Sequence, residues 1–277
     1  MEGIPGILQF RAAFGRQTVA WPDGPARFPE RFRGRPSVDP SRCRDGCRAC
    51  ADACPTEAIL DPGRASMRVD LGRCLFCPEC TRACPGEALR FGRDFRLAAR
   101  TREGLTVSGD APLLPEGAAD GVRAVLGRAL RLRQVSAGGC NGCEAELNAA
   151  GNVQFDLSRF GVQFVASPRH ADGMVVTGPV TGNMRDALLR TWEAIPEPRL
   201  VVAVGACALS GGIFRGSPVQ SDGLPGVPEI PVDLWIAGCP PHPITFMDGV
   251  LRLLGRLADG ELRVAGTGIV GTPGPRP

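Results

Sequence analysis

Twelve cysteines fall into two groups, and their spacing suits metal ligands better than disulfides. Eight form two runs, Cys43-x3-Cys47-x2-Cys50-x3-Cys54-Pro55 and Cys74-x2-Cys77-x2-Cys80-x3-Cys84-Pro85. The other four are Cys140-x2-Cys143, Cys207 and Cys239-Pro240. Thiolates prefer soft metals, and short C-x2-C spacings let one tight loop present several sulfurs to one centre. Three sets of four are enough for three [4Fe–4S] clusters, which carry single electrons. Zinc held by four cysteines is the competing chemistry, and would make the chain an interaction module without a redox role.

The paired runs follow the bacterial two-cluster ferredoxin pattern, in which the fourth cysteine of each run ligates the other cluster. That pattern implies one cluster on Cys43, Cys47, Cys50 and Cys84, and a second on Cys74, Cys77, Cys80 and Cys54. The first run departs from it by one extra residue between Cys43 and Cys47, with Gly46 widening the loop and leaving that cluster's type less fixed. Eight cysteines in this repeated order argue against zinc.

The remaining four need a fold to bring them together. Apolar runs at 162–166, 173–177, 200–204 and 232–237 suit buried parallel strands. Between them Met184, Leu188 and Trp192 share a helical face. Pro243 opens a last helix with Phe246, Val250, Leu251 and Leu254 as its stripe and Gly260 as its stop. Such alternation predicts an α/β domain with an open, mostly parallel sheet. Cys207 and Cys239 then follow strand ends, the edge where open α/β sheets bind ligands. Cys140 and Cys143 lie in the Gly-rich loop Gly138-Gly-Cys-Asn-Gly-Cys, soon after Val135. Four thiolates converging there make one tetrahedral metal site or one [4Fe–4S] cluster, and spacing does not separate the two. Four unrelated buried thiols are the plainer alternative, against which stands a Gly or Pro near each.

Five stretches follow. Residues 1–36 are an N-terminal arm, whose Phe28-Pro-Glu-Arg-Phe-Arg-Gly-Arg35 segment suits either docking to a membrane or partner, or a strap over the next domain. Residues 37–98 form the repeated cysteine unit, an α+β ferredoxin-like domain too poor in large apolar residues to fold without its clusters. Residues 99–134 read as a linker, with Val122, Leu126 and Leu130 at helical spacing. Residues 135–265 are the α/β domain, and 266–277 a flexible tail rich in Gly and Pro.

Charge and composition narrow the partners. Thirty-two basic residues, all arginine, nearly balance 29 acidic ones, which gives no reason to expect nucleic acid. Arginine without any lysine or tyrosine reads as genomic bias. No stretch reaches the roughly 18–20 apolar residues of a membrane span. The first residues lack a secretory or twin-arginine signal, so the thiols are expected in the reducing cytoplasm.

Four segments carry a closer resemblance: Gly139-Cys-Asn-Gly-Cys-Glu-Ala-Glu146, Gly178-Pro-Val-Thr181, Gly205-Ala-Cys-Ala-Leu-Ser-Gly-Gly-Ile-Phe214 and Gly238-Cys-Pro-Pro-His-Pro243. They resemble the small subunit of membrane-bound, energy-converting [NiFe] hydrogenases, a relative of the corresponding complex I subunit. The resemblance covers about residues 133–257. It implies a flavodoxin-like domain with one [4Fe–4S] cluster on Cys140, Cys143, Cys207 and Cys239. Residues 5–100, with Phe32-Arg-Gly-Arg35, are similar to the two-cluster ferredoxin-type subunit of the same complexes, as though two subunits were fused. Complex I subunits have adjacent cysteines at the first motif; here Asn141 and Gly142 intervene, the hydrogenase arrangement.

The resemblance implies an electron-transfer subunit with three [4Fe–4S] clusters and no catalytic residue of its own. Its partners would be a nickel–iron large subunit, membrane-embedded subunits, and a soluble ferredoxin or a dehydrogenase. Its address would be the inner face of the cell membrane. A hydrogenase-related or complex I-like oxidoreductase without nickel is the alternative terminal. Glu146 stands where that family carries an acidic residue, suited to tuning the cluster or to facing the large subunit, or to a helix N-terminus. His242, near Cys239, suits a hydrogen bond that shifts cluster potential. His170 reads as a turn or subunit-contact residue. No GxGxxG follows a strand, and no Lys-Ser/Thr follows Gly211-Gly212, which argues against nucleotide binding.

Overall fold

The computed structural model describes residues 4–109, 113–118, 120–126 and 129–257. After helix α1 (Ile4–Phe14), the chain builds a small unit from very short elements. Strand β1 (Pro36–Val38) will pair with β4; α2 (Ala49–Asp52), β2 (Ile59–Leu60), β3 (Arg68–Asp70), α3 (Glu79–Ala83) and β4 (Leu89–Phe91) follow. Strand β5 (Ala98–Ala99) leaves this unit, and β6 (Thr106–Val107) returns to it as the edge of a sheet ordered β2-β3-β6. The expected linker 99–134 therefore gives a strand to the small unit before helix α4 (Asp120–Leu126).

The larger unit alternates strand and helix: β7 (Leu130–Ser136), α5 (Gly142–Ala150), β8 (Val162–Phe164), β9 (Gly173–Thr177), α6 (Gly182–Glu193), β10 (Leu200–Val204), α7 (Ala206–Ser210), β11 (Leu234–Ile236) and α8 (Pro243–Leu253). Its sheet runs β5-β11-β10-β9-β7-β8, all pairs parallel except β5 with β11. Counting the parallel strands alone gives the order 2-1-3-4-5, that of flavodoxin-like folds.

Patterning explains the layers. Every residue of β9 and β10 is buried, as central parallel strands require. Val202, Val204, Val175 and Ile236 face α5 and α8 on one side. Val201, Ala203, Met174 and Val176 face the other, in a core continuous with Val38, Ile59, Val69 and Phe91 of the small unit. The two units thus share one apolar core.

Two local expectations change. Leu130 is not part of a helix with Val122 and Leu126, because α4 ends at Leu126 and Leu130 opens β7. Leu130 and Leu132 are fully buried and alternate with Arg131 and Arg133, a period of two that only a strand satisfies. Helix α8 ends at Leu253, with Gly255 left-handed (φ 68°) and the Arg256 N–H closing on the Leu251 carbonyl at 2.8 Å. Gly260 and the tail 266–277 lie outside the described residues.

The N-terminal arm straps the larger unit. Val19 donates its N–H to Gln154, and Arg159 reaches back to the carbonyls of Val19 and Trp21. Trp21 is buried edge-on against Phe95 and Phe160. Phe28 and Phe32 stack at 4.1 Å and pack on the core of the larger unit rather than on the domain that follows them in sequence. Helix α1 before it leaves Ile7, Leu8, Phe10 and Phe14 exposed.

Candidate metal centres

The two cysteine runs fold as matching halves. In each, the chain turns after the fourth cysteine through a left-handed glutamate, Glu57 (φ 54°) or Glu87 (φ 51°). That turn aims the Ala58 N–H at the Cys54 Sγ (3.3 Å) and the Ala88 N–H at the Cys84 Sγ (3.2 Å). The Phe76 N–H donates likewise to the Cys74 Sγ at 3.3 Å. Helices α2 and α3 carry the buried Cys50 and Cys80.

The halves cross over. A cavity walled by Ile59, Val69, Leu89 and Phe91 is lined by four cysteines, Cys54 from the first run with Cys74, Cys77 and Cys80 from the second. Reciprocally, the thiols that act on Cys50 most strongly are Cys84 and Cys43. Cys47 stands on the adjoining loop, where Gly63 packs so closely that a Cβ would lie 2.7 Å from the Cys47 backbone. Burial first, and neighbouring thiolates second, push the Cys50 thiol up to about 11 and Cys80 up to about 12. Cys74 is raised chiefly by burial too. Such sets cannot hold their charges unaided; a polynuclear cation that binds thiolate would compensate them.

The last four cysteines gather at the carboxyl edge of the large sheet. Strand β7 ends in a glycine loop bearing Cys140, and a left-handed Asn141 (φ 68°) starts α5, whose second residue is Cys143. Cys207 is the second residue of α7, directly after β10, and Cys239 follows β11 at a cis Cys239–Pro240 bond. Two glycines make the room. A Cβ on Gly205 (φ 86°) would lie 2.4 Å from the Cys143 Sγ, and one on Gly212 (φ 57°) 2.9 Å from the Cys207 Sγ. Burial raises the Cys143 thiol, with Glu144, Cys207, Cys239 and Cys140 adding to it. Burial likewise takes Cys207 up to about 11, with Cys239 and Cys140 in range. Cys239 is raised by burial, then by Cys140 and then by Cys77 of the small unit. Cys140 and Cys239 are exposed at the rim as residues, and for Cys239 it is the thiol that faces inward and is desolvated.

Among the described residues, no three His, Cys, Asp or Glu side chains close around a single metal ion. Sets of four thiols suit thiolate-bound metal chemistry, whether zinc or an iron–sulfur cluster.

The side chain that spacing did not single out is Glu144. It is buried, and its Oε1 accepts from the hydroxyls of Ser136 (2.5 Å) and Thr177 (2.6 Å) at the ends of β7 and β9. Burial pushes its carboxyl up, but those two bonds outweigh burial and hold it below the usual range. Glu146, the acidic residue weighed from sequence, is half-buried and raised by burial. His242 caps α8, its Nδ1 accepting the Ile244 N–H at 3.2 Å, with its ring among Phe28, Phe32 and Phe155. Burial lowers it to about 4, so it is neutral. His170 ends an exposed 3-10 turn.

A doubly wound sheet of order 2-1-3-4-5, with four thiols at its carboxyl edge, defines a flavodoxin-like α/β domain built around a thiolate site. Its residues 140–253 match the family model of the NADH ubiquinone oxidoreductase 20 kDa subunit, and the chain belongs to that family of oxidoreductase-complex subunits. It is 42% identical over 133 residues to a Pyrococcus furiosus protein named as a probable membrane-bound hydrogenase subunit, covering 48% of this chain and 78% of that one. Formate hydrogenlyase subunit 7 of Escherichia coli is 41% identical, with 51% of this chain and 54% of that one covered. An NADH-quinone oxidoreductase subunit of Desulfovibrio desulfuricans is 46% identical, with 40% and 59% covered. The expected kinship with hydrogenase and complex I subunits is met in these relatives. The family match begins at Cys140, so the cysteine repeat lies outside it. No helix among the described residues is long and apolar enough to cross a membrane.

Proposed function

We propose that this chain is the electron-transfer subunit of a membrane-associated [NiFe] hydrogenase complex, with three [4Fe–4S] clusters between a nickel–iron large subunit and a redox donor or acceptor. Cys43, Cys47, Cys50 and Cys84 would hold one cluster, Cys54, Cys74, Cys77 and Cys80 the second, and Cys140, Cys143, Cys207 and Cys239 the third. When bound, such clusters supply one-electron transfer at a potential set by their surroundings.

The observation that carries this reading is serial order. Cys80 feels Cys50 of the first set, and Cys239 feels Cys77 of the second, which supports a relay with the second set between the other two. The chain's own residues do the rest. Buried walls lower the local dielectric, backbone N–H groups donate to Cys54, Cys74 and Cys84, and Glu144 sets a fixed negative charge beside the third set. A large subunit would cover the exposed Cys140–Cys239 edge, beside which Ile213 and Phe214 stand out of the fold after Gly212. The small unit is read as a ferredoxin-like domain on its matching halves.

The C-x2-C arrangement at Cys140 and Cys143 supports a hydrogenase large subunit over a quinone reductase. The likeness to the Desulfovibrio NADH-quinone oxidoreductase subunit favours the second reading, a complex I-like enzyme without nickel. Anaerobic purification with co-purifying subunits decides. About twelve irons per chain are expected, four per cluster, together with nickel and hydrogen-dependent dye reduction in the complex. Full iron without nickel selects the second reading, and zinc with colourless protein refutes both.

A further inference from the structure

One side chain, Arg102, makes polar contacts with both units at once. Arg102 lies between β5, in the large sheet, and β6, in the small one. Its two terminal nitrogens donate to the two carboxylate oxygens of Asp70 at 2.8 and 2.9 Å, and its Nε donates to the Leu209 carbonyl at 2.8 Å. The side chains of Asp70 and Arg102 are 9% and 18% exposed. One edge of the guanidinium thus holds the small unit and the other holds α7. Gly72 gives it space, since a Cβ there would lie 2.4 Å from the guanidinium carbon. Ser210, next to Leu209, donates its hydroxyl to the Gly72 carbonyl at 2.9 Å and doubles the link.

Both ends of this clasp are tied to cysteines. The Asp70 carbonyl accepts the Cys74 N–H at 3.1 Å, and Leu209 shares helix α7 with Cys207. Exposed ion pairs hold little, but a half-desolvated fork that uses both edges fixes direction as well as distance. Lysine, a point charge, cannot make both contacts.

We propose that Arg102 is a positioning residue that sets the gap between the Cys54–Cys74–Cys77–Cys80 set and the Cys140–Cys143–Cys207–Cys239 set. This rests on the relay reading. In the step concerned, the group at one set is oxidised by one electron and that at the other is reduced by one; no bond forms or breaks and no proton moves. The chain's part in the rate is therefore the separation it enforces.

The test uses the full chain, purified anaerobically, with iron and sulfide content and electron paramagnetic resonance of the reduced protein. Wild type is expected to show magnetic interaction between neighbouring reduced clusters. Arg102→Ala should keep its iron and lose the interaction between the second and third sets, and Arg102→Lys should keep its iron and weaken it. Arg215→Gln, which removes the exposed Glu57–Arg215 pair across the same boundary, should change nothing. Unchanged interaction in both Arg102 variants overturns the proposal and leaves the relay standing. Where Arg102→Ala loses iron, Arg102→Lys decides by the same criterion. Iron lost from both overturns the proposal, because Arg102 would then serve folding and not spacing. Wild-type protein without iron overturns the relay reading itself.

Discussion

Cys239 and Cys77 belong to different units, yet the Cys77 thiol is among the groups that raise the Cys239 thiol. That influence is possible because β5 and β6 stitch the small unit onto the large sheet, and because the two share one apolar core. A redox group at either set would be within influence of the other. The assignment of thiols to sets is what mutation can test most directly.

Cys207→Ser should remove the third cluster alone, taking iron from about twelve to about eight per chain. Cys54→Ser should remove the cluster of the Cys74 run, not that of its own run, because Cys54 lines that cavity. Iron analysis with paramagnetic resonance of each variant checks both. A Cys54→Ser spectrum that matches Cys43→Ser would contradict the crossing.

Gly205 is where backbone and thiol compete for the same space. Gly205→Ala places a methyl 2.4 Å from the Cys143 Sγ and also forces alanine to a φ of 86°. That backbone (φ 86°, ψ 152°) is essentially a glycine conformation and alone costs alanine roughly 1–3 kcal/mol, and the clash moves a thiol. The variant should lose the third cluster and keep the other two, read as iron content and melting temperature.

How much of this was legible in the residues depended on how local each signal was. Strands β9 and β10 announced themselves as apolar runs because central parallel strands are buried on both faces. Strand β7 did not, since arginines interrupt it and Leu130 happens to fall at helical spacing from Leu126. Strands of two or three residues in the small unit carry too few side chains for any period to show. The two cysteine runs were visible from spacing, but the last four come from three separate loops that only the sheet brings to one edge. The choice of Glu144 over Glu146 was not, because it depends on Ser136 and Thr177, brought in by two separate strands.

Glu144→Gln should raise the reduction potential of the third cluster. The carboxylate is held ionised by two hydroxyls, and its charge acts on both Cys143 and Cys207. Reduction adds negative charge nearby, so removing a fixed negative charge favours the reduced state. Gln keeps an oxygen for Ser136 and Thr177, so iron content should hold. A redox titration followed by paramagnetic resonance reads the shift, and a fall in potential would contradict it.

Removing iron should separate the two units in stability. The small unit has strands of only two or three residues and long cysteine loops between them, so those loops depend on their metal groups. The large sheet keeps β9 and β10 fully buried without them. After chelation, amide exchange should become fast across 37–91 while 173–177 and 200–204 stay protected. Equal loss of protection in both would mean that the third cluster also carries the fold of the large unit.

His242 gives a pH dependence of definite sign. Its folded value is lowered from 6.5 to about 4 by burial among three phenylalanines, whereas the unfolded chain binds a proton below 6.5. The unfolded state therefore holds more protons in that window, and stability falls as pH drops from about 6.5 to about 4. At 1.36 kcal/mol per unit the loss approaches about 3 kcal/mol at most, less because the ring is not wholly buried. Asp248 works the other way: burial raises it to about 6, so its contribution falls as pH rises toward 6. His242→Asn isolates the first effect, since asparagine also caps helices and does not titrate. Between pH 7 and pH 5 the variant should lose less stability in denaturant melts than wild type, and parallel losses would show that the imidazole is already charged in the fold.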